Sequence, residues 1–285
     1  MKSQTMLPVA PPSGGPGMES VPQLIAATAH TLPEQRHALE RARSFAEPLI
    51  GGECLDSGEN TLAHADAVAT ILKSIGGSEA MQAASYLVHA CEHLNKPQEV
   101  IAKAFGDNFA TLAVETTQLM RVQYQTRMAQ AAGQQVDDVA AQTETVRKML
   151  LAFSRDLRVV MLRLASRLQT LRYFAASKRP CPASLAQETQ QVFAPLANRL
   201  GIGWIKNELE DLCLKHLKPE VYEMLRVRVA KRDEDRQQYI LEVIDMVKKA
   251  MSEAGLQGEV SGRPKHLYGI YQKMEKQSIS FEEVY

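Results

Sequence analysis

The stretch Leu157–Phe174, "LRVVMLRLASRLQTLRYF", sets the fold class. Leu157, Met161, Leu164, Leu168 and Leu171 recur at spacings of four and three, with Arg158, Arg163, Arg167 and Arg172 between them. That is the period of an amphipathic α-helix, with a leucine stripe turned to a core and arginines on the remaining face. A strand would alternate every second residue instead.

The same period runs outward in both directions. "NTLAHADAVATILKSIGG" opens on a capping residue, Asn60 or Thr61, and stops at Gly76-Gly77. "SEAMQAASYLVHACEHLN" starts behind Ser78 and ends before Pro97. "PQLIAATAHTLPEQRHALERARSFAEPLI" suggests helix broken or restarted at Pro33. "DNFATLAVETTQLMRVQYQTRMAQAAG" and the residues leading into Leu157 add longer helices. "VAKRDEDRQQYILEVIDMVKKAMSEAG" reads as a long charged helix ending at Gly255. The pattern changes only afterwards. Gly258–Ser261 is a strand candidate, a helix is expected from about Pro264 to Lys276, and "SISFEEVY" resembles the start of a second strand.

Composition narrows the class. The 285 residues are 45% hydrophobic and 23% charged, values of a globular protein. Lys plus Arg number 33 and Asp plus Glu number 33, so no general attraction to nucleic acid or membrane is expected and any basic site is local. Cys54, Cys91, Cys181 and Cys213 lie far apart, form no CxxC pair, and fit thiols in a reducing compartment. "MKSQTMLPVAPPSGGPGMES" has the composition of a disordered leader and lacks the charged and apolar regions of a signal peptide. A cytoplasmic location without a membrane partner is expected.

"GRPKHLYGIYQKM", Gly262–Met274, places Arg263, Lys265 and Lys273 in a short span. Lys265 and Lys273 are eight residues apart, about two helical turns, and share a face. Cations beside a helix N-terminus suit a polyphosphate. This stretch is similar to the start of the (p)ppGpp synthetase domain of the RelA/SpoT family. Phe193–Leu225, "FAPLANRLGIGWIKNELEDLCLKHLKPEVYEML", looks like that family's connector, and the likeness extends over roughly residues 35–285. The resemblance implies a GTP pyrophosphokinase of the RelA type. Such an enzyme transfers pyrophosphate from ATP to the 3′-hydroxyl of GTP or GDP with Mg²⁺, in the stringent response, and meets the ribosome through C-terminal regions. It further implies that Arg263 contacts adenine while Lys265 and Lys273 contact phosphates. Gly269 departs from the usual serine. The catalytic aspartate, the metal-binding glutamate and the guanine site are expected beyond Tyr285. No catalytic residue is therefore expected within the chain, which alone should not synthesise (p)ppGpp.

Bifunctional members of the family hold Mn²⁺ through a His…His-Asp…Asp set in a helical HD hydrolase domain. The matching positions here are His64, His89, Ala90 in place of aspartate, and Ser166 in place of the last aspartate. Thr170 replaces an asparagine, His93-Leu94 replaces a Glu-Asp pair with Glu92 one place earlier, and Leu55 replaces a basic residue. Two imidazoles without carboxylates suit a hard Mn²⁺ poorly, so an inactive hydrolase-like domain binding no metal is expected. A zinc site from His64, His89 and His93 is the alternative, because His89 and His93 stand at i and i+4, although the HExxH general base is absent.

The expected architecture is mainly α. It comprises a leader (1–20), a degenerate HD hydrolase-like bundle (21–200), a helical connector (201–255) and the incomplete start of an α/β nucleotidyltransferase-like synthetase domain (256–285). Two rival functions are a non-catalytic nucleotide-binding or regulatory module and an active (p)ppGpp hydrolase, the latter disfavoured by Ala90 and Ser166.

Overall fold

The computed structural model describes residues 37–131 and 156–284; the leader, Pro33 and the residues just before Asp156 lie outside them. Helices account for most of the described residues, beginning with α1 (Ala38–Ile50), α2 (Thr61–Ser74), α3 (Glu79–Ala90), α4 (Pro97–Phe105) and α5 (Asp107–Ala131). They continue through α6 (Leu157–Ser177), α7 (Ala183–Glu188), α8 (Ala194–Arg199) and α9 (Gly203–Leu217). The series closes with α10 (Pro219–Ala230), α11 (Asp233–Glu253), α12 (Leu267–Gln277) and α13 (Phe281–Val284). The only β pairing among the described residues is an isolated bridge, Cys54 to Asn60. The fold is mainly α, as the sequence periodicity implies.

Caps form where short polar side chains precede apolar runs. Asn60 Oδ1 accepts from the Ala63 amide at 3.0 Å, Ser78 Oγ from Met81, and Asp156 Oδ1 from Arg158. Each satisfies a backbone donor that the first helical turn leaves unpaired.

α6 lies at the centre of the helical body. Met161, Leu164, Leu168 and Leu171 are fully buried, and Leu157 packs at the edge of the same cluster. The opposite face differs from the sequence expectation. Arg163 and Arg167, expected on a polar face, are 5% and 3% exposed. Val159, Val160, Leu162 and Ala165 are also buried, so other helices cover α6 on several sides. Each guanidinium has partners in this interior. Arg163 donates twice to Gln123 Oε1, at 3.1 and 2.7 Å. Arg167 reaches Glu188 Oε2 at 2.8 Å and Thr189 Oγ1 at 3.0 Å, and its guanidinium stands 4.1 Å over the Phe193 ring. Arginine tolerates such burial because its planar fork can be saturated with acceptors and stacked on an aromatic face.

A second cluster joins α1 to α3–α5 through small residues. Ala38, Ala42 and Ala46 meet Ala80, Ala83 and Leu87, letting the backbones approach closely. A third, smaller cluster unites Leu214, Leu225, Ile270 and Phe281, fastening α12 and α13 to α9 and α10.

The two expected strands do not form. Gly258–Ser261 runs without a ladder partner among the described residues, and Phe281–Val284 of the second stretch forms the turn of α13 instead. A strand needs a neighbour for its backbone groups, and none is present here. The Ser280 amide donates to Glu283 at 2.6 Å, which favours a helix start. The helix expected at Pro264–Lys276 is observed as α12, shifted to Leu267–Gln277. Gly262 lies against α11, where a Cβ would stand 2.7 Å from Ile240 Cγ2. Elsewhere α11 exposes Tyr239, Leu241 and Met246. Among the described residues no helix is long and apolar enough to cross a membrane.

Candidate functional site

The loop between α1 and α2 is tied down before it reaches the site. Asn60 Nδ2 donates to the carbonyls of Gly51 and Glu53, at 2.8 and 3.2 Å. The Tyr173 hydroxyl donates to Gly58 O at 2.8 Å and Arg179 Nη1 to Ser57 O at 3.3 Å. This anchors Glu59, a buried carboxylate one residue before the cap.

From there α2 presents His64, α3 presents His89 and α6 presents Ser166, so three residues matched from sequence converge. His64 Nδ1 is 2.7 Å from Glu59 Oε2, and Nε2 is 3.0 Å from Ser166 Oγ. Both ring nitrogens of His64 are thus engaged, Nδ1 by a buried carboxylate and Nε2 by the serine hydroxyl. Gln169 Nε2 donates to the other Glu59 oxygen at 2.5 Å. The His89 ring meets His64 edge-on, with centroids 5.6 Å apart. Burial, helped by His64 and Arg163, lowers the His89 pKa from 6.5 to about 3, so this imidazole stays neutral. Beside it, Val68, Val88, Leu162 and Ser166 help enclose a space of about 10 Å³, the room of one water molecule.

The other matched positions stand apart. Ala90 is fully buried in the second apolar cluster. Thr170 Oγ1 donates back to Ser166 O at 2.9 Å. α3 ends at Ala90 and Cys91–His93 tightens into a 3₁₀ turn. His93 therefore leaves the helical face of His89, and its Nε2 stands 3.3 Å from Glu53 Oε2. The i,i+4 argument for zinc assumed a continuous helix here. Among the described residues no group of three or more His, Cys, Asp or Glu converges as if to hold a metal ion. Sequence reasoning missed Glu59. Its only signal was an acidic residue just before a helix cap, a place where most such residues face solvent.

The cationic segment lies elsewhere, over α9. Arg263 and Lys265 are exposed and Lys273 is partly so. Arg263 Nη1 lies 3.5 Å from where a Cβ on Gly203, the first residue of α9, would sit. The α12 N-terminus, expected to face a polyphosphate, is occupied by the protein itself. Asp211 accepts from the Tyr268 amide at 2.7 Å and from the Leu267 amide at 3.4 Å. Glu210 Oε2 meets His266 Nε2 at 2.6 Å and Lys206 Nζ at 2.8 Å. Burial alone would raise the Glu210 pKa, but His266 and Lys206 outweigh it and lower it. Burial raises that of Asp211, with the Tyr268 amide pulling the other way. Neither acid is among the residues picked out from the sequence.

A family profile described as HD domain matches residues 42–203. A GTP pyrophosphokinase of Myxococcus xanthus is 34% identical over 247 residues, covering 87% of this chain and 32% of the relative. A protein of Synechocystis described as a probable guanosine-3′,5′-bis(diphosphate) 3′-pyrophosphohydrolase is 38% identical, covering 86% of the chain and 31% of the relative. The GTP pyrophosphokinase of Escherichia coli K12 is 40% identical over 144 residues, half of this chain. The chain thus spans about a third of the length of the first two relatives. Both kinds of relative match across the helical body and the connector, and the chain, with its HD domain, belongs to the RelA/SpoT family.

Proposed function

We propose that this chain serves (p)ppGpp synthesis and not hydrolysis. Its Arg263–Lys273 segment contributes the ATP-holding part of a GTP pyrophosphokinase acting in the cytoplasm, and its HD domain has become a structural and regulatory body. The observation that carries this reading is the Ser166–His64–Glu59 chain. The Nε2 that would face a metal is engaged by a serine hydroxyl, and the neighbouring aspartate position is an alanine packed in an apolar core. The one carboxylate there among the described residues, Glu59, is already held by His64 and Gln169, and the two imidazoles and a hydroxyl that remain do not fit Mn²⁺, which prefers carboxylate oxygens.

In the segment, Arg263 supplies a planar guanidinium suited to stacking on adenine. Lys265 and Lys273 supply compact charges for the phosphates. Mg²⁺ bound with the nucleotide would neutralise charge developing on the transferred group. GTP or GDP as acceptor and the ribosome as partner belong to the same proposal.

Incubation with ppGpp and Mn²⁺ should release no pyrophosphate beyond a His64→Ala, His89→Ala double variant; release above that control overturns the reading. Calorimetric titration with ATP and Mg²⁺ should show binding that Lys273→Ala weakens about tenfold, the loss of one charge-assisted contact.

A further inference from the structure

The connector helix α9 touches the cationic segment along its whole length. At its start, Gly203 lies beneath the Arg263 guanidinium. At its middle, Glu210 gathers Lys206 and His266, while Asp211 takes the Leu267 and Tyr268 amides. Just past its end, Lys218 Nζ hydrogen-bonds the Tyr271 hydroxyl and lies 4.8 Å from the centre of that ring. The residues so held, His266, Leu267, Tyr268 and Tyr271, all lie between Lys265 and Lys273. His266 marks the cap position of α12 but makes no cap with its own side chain. The cap comes instead from a carboxylate 57 residues earlier in the chain.

Two consequences follow from charge and geometry. First, the α12 amides most able to bind an anion already hold one, so an incoming triphosphate meets a carboxylate at that end. Phosphate is thereby directed to the cationic side chains. Second, the turn carrying Lys265 cannot swing without breaking the Glu210–His266 and Asp211–amide contacts. Both Lys265 Cε and His266 Cε1 come within 3.0 Å of the Cβ position on Gly269, so the lysine stem already lies along α12 toward Lys273.

We propose that Glu210 and Asp211 are positioning residues for a nucleoside triphosphate, fixing the Lys265–Tyr268 turn from α9 so that the two lysines present their charges on one face. The inference rests on reading Arg263, Lys265 and Lys273 as ATP ligands, and it adds that the connector sets their geometry. Neither acid touches the nucleotide. They act through the backbone of α12 and through His266.

The test combines amide exchange at Leu267 and Tyr268, followed by NMR, with ATP–Mg²⁺ titration of the wild-type chain, Asp211→Ala, Asp211→Asn and Glu210→Gln. Asp211→Ala should speed exchange at both amides and weaken ATP about tenfold. Asp211→Asn keeps a carbonyl acceptor, so it should restore protection and most of the affinity, a rescue that loss of bulk packing would not give. Should Asp211→Ala fail to fold, Glu210→Gln carries the test, with altered His266 ring resonances and several-fold weaker ATP expected. Open amides with ATP affinity within about twofold of wild type would overturn the positioning role. Tighter ATP binding in Asp211→Ala would overturn it as well, because phosphate would then be using the vacated amides. A wild-type chain that binds no ATP would overturn the nucleotide reading itself and this inference with it; wild-type binding that is insensitive to all three variants overturns only the inference.

Discussion

The HD-domain cleft and the cationic segment are each assembled from distant parts of the chain, yet they are held in opposite ways. In the cleft, Gln169, Glu59, His64 and Ser166 hydrogen-bond in series and close on one another around the buried Glu59 and His64. In the segment, the cationic side chains are exposed or partly so, and the acids Glu210 and Asp211 that hold the adjoining turn stand on another helix. The difference teaches where binding capacity resides. A cluster that satisfies itself has few lone pairs left for a ligand. A cluster supported from behind keeps its charges turned to solvent.

The sharpest way to break that contrast is to truncate one side chain in each region. Leu164→Ala removes a fully buried leucine from the helix that carries Ser166. It should destabilise the protein by about 2–5 kcal/mol in urea unfolding. Lys273→Ala, on a partly exposed side chain, should cost less than about 0.5 kcal/mol. Comparable losses would mean that the two regions do not differ in the way described.

A smaller effect separates them by pH. The folded His89 pKa of about 3 lies below the unfolded value near 6.5, chiefly because the ring is buried. Between those values the unfolded chain takes up a proton that the folded chain refuses. The contribution is therefore complete above about pH 6.5 and is lost as pH falls toward 3, at about 1.4 kcal/mol per pH unit. Urea unfolding at pH 7 and pH 5 should differ by about 2 kcal/mol from this group alone. His89→Gln should remove that share of the slope. An unchanged slope would place the titration on another group, such as His216, whose pKa burial also lowers.

How far the sequence carries can be read from these residues. The helices, the Asn60 and Ser78 caps and the leucine stripe of α6 were legible because each depends on neighbours within a few positions. The meeting of His64, His89 and Ser166 was legible through family resemblance, and not from spacing. Arg163 and Arg167 were misplaced because periodicity reports a helix face, whereas the number of helices packed around that face is a tertiary property. Glu59, Glu210 and Asp211 were missed for a related reason. A buried or half-buried carboxylate is recognised by its partners; His64 lies 5 residues from Glu59, and although Lys206 is within a turn of Glu210, His266 and Tyr268 lie 56 and 57 residues from Glu210 and Asp211. The strands at Gly258 and Ser278 failed on the same ground, since β-propensity without a pairing neighbour specifies nothing.

The finest test lies at Gly269, where the family usually has serine. The residue sits inside α12 with helical backbone, so Gly269→Ser should gain about 0.5 kcal/mol of helix propensity. Against this, the new Cβ would stand 3.0 Å from Lys265 Cε and His266 Cε1. Lys265 meets it with the far end of a flexible stem and can shift a few tenths of an ångström. His266 has less latitude, because Glu210 holds its other nitrogen at 2.6 Å. The two terms nearly cancel, and the stability change should stay within about 0.5 kcal/mol. ATP affinity is the more telling readout. A neutral hydrogen bond from the serine hydroxyl to phosphate is worth about 0.5–1.5 kcal/mol, and the displaced lysine offsets part of it, leaving a tightening of about threefold. Gly269→Ala supplies the same Cβ without the hydroxyl and should not tighten binding. If serine and alanine behave alike, the hydroxyl adds nothing in this chain. If both weaken ATP, the glycine is what lets Lys265 lie where α9 has placed it.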